Sequence, residues 1–151
     1  MTRALAHLVI FVAALAVAGC SRSTTRVPVG APVRHDDFTF VVTGVERTAA
    51  AHARQTIRVR LEIHNEALRV GFDYRPEITF VEDGAGRRFE PAAAESTPER
   101  RIEAGETEIV TVGFSVPADA TGLRLGYSDG TMMGDVFDGF QYAAARVPLG
   151  R

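Results

Sequence analysis

Between Ile57 and His64 every second residue is apolar: Ile57, Val59, Leu61 and Ile63 alternate with Arg58, Arg60, Glu62 and His64. A strand sends successive side chains to opposite faces, so this spacing gathers the four aliphatics on one side. A helix would scatter them around its circumference. The same period recurs at Phe38, Phe40 and Val42, at Val110, Val112, Phe114 and Val116, and at Leu123, Leu125 and Tyr127. Thr43-Gly44 interrupts the first of these where a bulge would restore phase before Val45. Shorter candidates are Leu68 to Phe72, Ile78 to Val81, Arg88 to Glu90 and Phe140 to Val147. One sheet with a single apolar face cannot shield that face, whereas two sheets bury one face each.

Turn chemistry separates these segments: Asp83-Gly84-Ala85-Gly86, Glu103-Ala104-Gly105-Glu106, Pro117 and Asp129-Gly130. The helix-start pattern Ser96-Thr97-Pro98-Glu99 is followed by no apolar helical run, so it predicts one turn at most. Many short strands, regular turns and no helices predict an all-β, immunoglobulin-like two-sheet antiparallel β-sandwich. The single cysteine forbids an intramolecular disulfide, a thiolate zinc cluster or a CxxC redox pair.

That cysteine closes a different kind of segment. Leu8 to Ala18 is an eleven-residue apolar run behind Arg3. It is short of the roughly 20 residues a membrane span needs, but it suits the apolar region of an export signal. The run ends Leu15-Ala16-Val17-Ala18-Gly19-Cys20, which resembles a bacterial lipobox. The resemblance implies diacylation of the Cys20 thiol, cleavage before Cys20 and, in many bacteria, acylation of the new amino terminus. It thereby implies a membrane partner reached through the lipid and no other cofactor. With Ser21 next, it implies an outer-membrane address facing the periplasm in a diderm cell. In a monoderm cell the address is the outer face of the plasma membrane. Cleavage removes Arg3 and no acid, taking the formal charge from −2 to −3.

Ser21 to Arg34 is rich in Ser, Thr, Pro and Gly and has no apolar period. It reads as a tether able to reach about 45–50 Å when extended. The expected division is therefore a signal peptide over 1–19, the lipidated Cys20 and flexible linker over 20–35, and the sandwich over 36–151. The near-balanced charge excludes a basic nucleic-acid-binding face. All seventeen basic residues are Arg, so Schiff-base lysine and P-loop chemistry are excluded as well.

Four stretches carry a wider resemblance: Asp36 to Glu46 (DDFTFVVTGVE), Ile57 to Asn65 (IRVRLEIHN), Ile78 to Glu90 (ITFVEDGAGRRFE) and Arg101 to Leu125. The last contains the Gly105-Glu106 turn, a strand ending in Val116-Pro117 and a Gly-Leu-x-Leu strand. Their order resembles small secreted or lipid-anchored bacterial immunoglobulin-like domains of unknown function, related to the mycobacterial secreted immunogenic antigen fold. The resemblance covers most of Asp36 to Tyr127 and implies an architecture and an extracytoplasmic setting, with no catalytic residues. Thr48 to Gln55 departs from it as an added Ala-rich loop, and Asn65-Glu66-Ala67 replaces the usual polar hairpin.

Few residues propose chemistry. Gly126-Tyr127-Ser128-Asp129-Gly130 fits the nucleophile-elbow spacing, but no helix pattern follows Ser128 and every histidine precedes it, whereas that fold supplies the base afterwards. His35, His52 and His64 lack metal-ligand spacing, and Asp129, Asp135 and Asp138 do not match a calcium loop. No catalytic residue and no metal ligand are assigned. Arg87-Arg88 and Arg100-Arg101 sit among glutamates and read as solvated turns. The apolar segment Thr131 to Tyr142 can pack over one end of the sandwich. Alternatively, Met132, Met133, Phe137 and Phe140 can form a surface for a protein partner. The functional expectation is a non-enzymatic, lipid-anchored envelope protein, a protein-interaction or structural accessory domain that presents loops and sheet edges to other envelope proteins or cell-wall components. The alternative is a periplasmic lipoprotein that binds or senses a small ligand or metal ion.

Overall fold

In the computed structural model, the residues described are 24–50, 52–128 and 141–150. Among the described residues eleven strands form the architecture: β1 (Thr25–Arg26), β2 (Pro32–His35), β3 (Phe38–Ala50), β4 (Arg54–Asn65), β5 (Phe72–Tyr74), β6 (Thr79–Glu82), β7 (Arg88–Phe89), β8 (Arg100–Ile102), β9 (Thr107–Pro117), β10 (Arg124–Tyr127) and β11 (Ala145–Pro148). One sheet has the order β1-β11-β10-β6-β7 and the other β2-β3-β4-β9, while β5 and β8 form a separate pair. All pairings are antiparallel except β1 with β11. The fold is a β-sandwich.

The strong alternations become the long strands. Ile57, Val59, Leu61 and Ile63 of β4 lie in the core with Phe40 and Val42 of β3 and Val110, Val112, Phe114 and Val116 of β9. The opposite sheet contributes Val81, Leu125, Tyr127 and Val147. The β3–β4 register shifts between Val42 and Gly44, where the bulge was expected. That bulge keeps Val45 opposite Val59.

Several boundaries differ from the expectations. Residues Thr25–Arg26 and Pro32–His35, inside the stretch expected to be flexible linker over 20–35, are strands of the two sheets. Pro32 is tolerated because β2 is an edge strand. Gly30, at φ +85°, lets the chain turn between the sheets, and Ala31 N–H donates to Pro28 O. Two to four residues are too few to display a period, so these edges look like linker in sequence.

Thr48 to Gln55 is likewise not an added loop: Thr48 pairs with Thr56, Ala49 with Gln55 and Ala50 with Arg54, extending the β3–β4 hairpin. Residues 68–71, expected within a strand, form a loop ahead of β5, and residues 141–144 are helical, leaving only Ala145–Pro148 as the last strand.

Ser96 and Thr97 cap no helix. A 3-10 turn, Ala93–Glu95, precedes them, and their hydroxyls accept from Gly113 and Thr111 N–H (3.0 and 2.9 Å). Ala92 N–H and Thr97 N–H donate to Gly113 O and Thr111 O, so this segment covers the edge of β9 and blocks pairing with another chain. Only glycine fits at Gly113, since a Cβ there would lie 2.6 Å from Glu95 O.

Candidate functional site

The strand registers define two ends. His35 pairs with Phe38 and Phe38 with Asn65, so the end of β2, the start of β3 and the end of β4 are level. Across the core, Phe40 lies 5.8 Å from Tyr127 and 5.4 Å from Tyr142, centroid to centroid. Tyr142 stands three residues before Ala145, the partner of Thr25. The chain therefore enters the sandwich at the end that carries the Asp36-Asp37 turn and the 66–71 loop.

Aromatic rings fill this entry end. Tyr142 packs edge-on against His35 at 4.9 Å and on Tyr127 at 4.9 Å, while Phe72 contacts Phe38 and Phe40 at 4.7 and 5.9 Å. Burial pushes the Tyr127 hydroxyl well above its ordinary pKa. Among the described residues, that hydroxyl and His35 Nδ1 have no hydrogen-bond partner.

Asn65, fully buried, organises the adjoining loop. Its side-chain amide donates to Val70 O (2.8 Å) and Ile102 O (3.1 Å), and its side-chain oxygen accepts from Ala67 N–H (3.0 Å). Ala67 is thereby buried, while Leu68 and Val70 are 94% and 63% exposed. Beside the entry, a groove of about 580 Å³ opens between the edges β1 and β2. Val27 and Val33 form its apolar wall, and Arg34, Asp36 and Gln141 line it as well. Arg34 also pairs with Glu66.

The histidines stay apart. His35 is 2% exposed and faces the core. His64 lies on the outer face of β4, its Nδ1 hydrogen-bonded with Thr107 Oγ1 at 2.6 Å. His52 occupies the β3–β4 turn at the far end, at φ +60°. Ser128 follows β10, its N–H donating to Ile78 O, and no hydrogen bond among the described residues joins its hydroxyl to a histidine. Among the described residues, no group of three or more His, Cys, Asp or Glu could hold a metal ion. No helix among them is long and apolar enough to cross a membrane.

The paired arginines are tied to acids: Arg87 to Asp83, Arg88 to Glu90, Arg100 to Glu108, and Arg101 to Asp73 and Glu103. Arg88 also lies 3.7 Å above the Phe80 ring, so it covers an aromatic as well as solvating a turn. Cys20, Met132, Met133, Phe137, Phe140, Asp129, Asp135 and Asp138 lie outside the described residues.

The exposed pair Leu68 and Val70 escaped the sequence reading because Leu68 to Phe72 looks like a short strand. The available cue was Asn65, whose side chain can turn the backbone two residues on.

No protein-family model matches the chain, and no curated protein matches it in sequence. Solved structures do share its fold. The secreted protein MPT63 of Mycobacterium tuberculosis superposes with a TM-score of 0.60 at 11% identity, over 85% of this chain and 99% of that one. The YjhA protein of Bacillus subtilis gives 0.55 at 16% identity, over 82% and 98%. YcdA, a candidate lipoprotein of Bacillus subtilis, gives 0.53 at 14%, over 68% of this chain and 34% of that protein. At these identities the likeness is one of fold: a β-sandwich shared with secreted and lipoprotein-like bacterial proteins.

Proposed function

We propose that this is a non-enzymatic, lipid-anchored protein of the bacterial envelope, held by acyl chains on Cys20 and presenting an immunoglobulin-like sandwich to envelope partners. The observation that carries the reading is the order of its parts: a segment with lipobox character ends at Cys20, and the first strand begins at Thr25. The fold shared with a secreted protein and a candidate lipoprotein supports an extracytoplasmic setting. Two or more acyl chains, at about 0.8 kcal/mol per buried methylene, anchor a protein stably.

Metabolic labelling of the producing bacterium with an alkyne fatty acid tests the anchor. The wild type takes up label and Cys20→Ala does not; label retained by the variant, or absent from the wild type, overturns the reading. Cross-linking in intact envelopes should then recover a protein partner.

A second reading rests on the groove between β1 and β2: a small polar ligand could be held by Arg34, Asp36 and Gln141. A ligand at 100 times its Kd would add about 2.7 kcal/mol to stability, visible as a thermal shift that Asp36→Ala removes.

A further inference from the structure

Three residues separate Cys20 from Thr24, and β1 begins at the next position. Five extended residue steps from Cys20 to Thr25 span at most about 18 Å. By comparison, the eleven residues of β9 run about 36 Å along the sandwich. A chain anchored at Cys20 keeps its entry end within a short reach of the headgroups, whereas its far end lies a strand length further from the anchor. The 66–71 loop is at that same entry end, level with β2 and about 10 Å away across two strand spacings. It carries Leu68 and Val70, held outward because Asn65 draws in the backbone on either side.

From this we infer that the entry end docks on the bilayer, with Leu68 and Val70 inserted at the lipid interface and Arg69 between them at headgroup level. The inference rests on the lipid attachment at Cys20. The bilayer is the occupant because the tether is too short to leave room for a partner protein of domain size beneath this end. Among the described residues the charges here do not select for anionic lipid: Asp36 and Asp37 are exposed, Glu66 is paired with Arg34, and Asp73 with Arg101. Apolar insertion is therefore the driving contact. A long side chain such as Arg69 keeps its head in the polar layer while its stem lies along apolar surface.

The test uses the full lipidated chain in phosphatidylethanolamine–phosphatidylglycerol vesicles whose acyl chains carry bromine. With Cys20 acylated, Leu68→Cys and, separately, Asp119→Cys at the far end each supply the only free thiol for an environment-sensitive fluorophore. Insertion to a depth of about 5–10 Å should quench the Leu68→Cys label by about half and leave the Asp119→Cys label unquenched. A second variant, Val70→Glu, placed in the Leu68→Cys background, should abolish that quenching. Intact mass of the same sample reports the acylation. An acylated chain whose Leu68→Cys label stays unquenched overturns docking and leaves the anchor standing, whereas an unacylated Cys20 overturns both.

Discussion

The two ends of the sandwich are closed by different physics. At the entry end, six rings meet: His35, Phe38, Phe40, Phe72, Tyr127 and Tyr142. At the far end, closure is by polar groups. Asp83, 1% exposed, accepts from Ala85 N–H, Arg87 N–H and Arg87 Nε (2.9, 2.9 and 2.6 Å). Gly84 N–H donates to Thr121 O and Gln55 Nε2 to Pro117 O, fastening neighbouring turns to each other and to β4. Arg47 Nη2 donates to Gly150 O at 2.7 Å. Beside the packed rings, the bonds of Asn65 fix a loop that displays apolar side chains. A hydrogen-bonded end fixes backbone direction and keeps its surface polar. The end proposed to dock on the membrane is the one closed by rings.

This contrast can be broken most forcefully at Phe40, which touches three of the other rings. Phe40→Ala should cost about 3–5 kcal/mol, read as a lowered denaturant midpoint; a loss similar to that of a surface substitution would refute ring closure. Next comes Asn65→Ala, which removes two side-chain bonds to the 66–71 loop and one to Ile102 of β8. Unfolding should become easier by about 2 kcal/mol or more, and hydrogen exchange at the Ala67 amide should quicken. Unchanged exchange would mean the loop is held by something else.

At the far end the expected effect is confined to acid. Burial alone would raise the Asp83 pKa, but bonds from the Arg87 side chain and the Arg87 and Ala85 amides lower it below the usual carboxylate value. Its contribution is fully present above the unfolded-state pKa of about 3.9 and is lost as pH falls through the lower folded value. Asp83→Asn should therefore be less stable than wild type near neutrality, with the gap narrowing on acidification. A gap that widens in acid would contradict the assignment.

The smallest change is expected from Tyr127→Phe. It removes a buried hydroxyl that has no partner among the described residues and should be neutral or stabilising by up to about 1 kcal/mol. A clear destabilisation would show that the hydroxyl has a role the geometry does not reveal.

Legibility in the sequence followed strand length. β4 and β9 each carry four alternating apolar residues and β3 carries three before its bulge, so alternation found them, the bulge after Val42 included. β1, β2 and β8 have two to four residues each. Pairing makes them strands, and nothing local announces it: Pro28, Gly30 and Pro32 look like tether until two sheet edges are there to receive them. Within the candidate site, Leu68 and Val70 have strand-like composition, and only the bonds of Asn65 reveal a displayed loop. His35 read as a linker-edge residue and is instead buried against Tyr142.

The sequence by itself determined the all-β class, because a two-residue period cannot be satisfied by a helix. It also fixed the absence of a disulfide within the chain, because there is one cysteine. Tertiary structure alone decided where the fold begins, which end the chain enters, and which aliphatics remain outside. The chain's entry depends on a pairing more than a hundred positions apart, Thr25 with Ala145, and the outward aliphatics depend on Asn65 reaching Ala67, Val70 and Ile102. No local pattern encodes which distant edge a two-residue strand will meet.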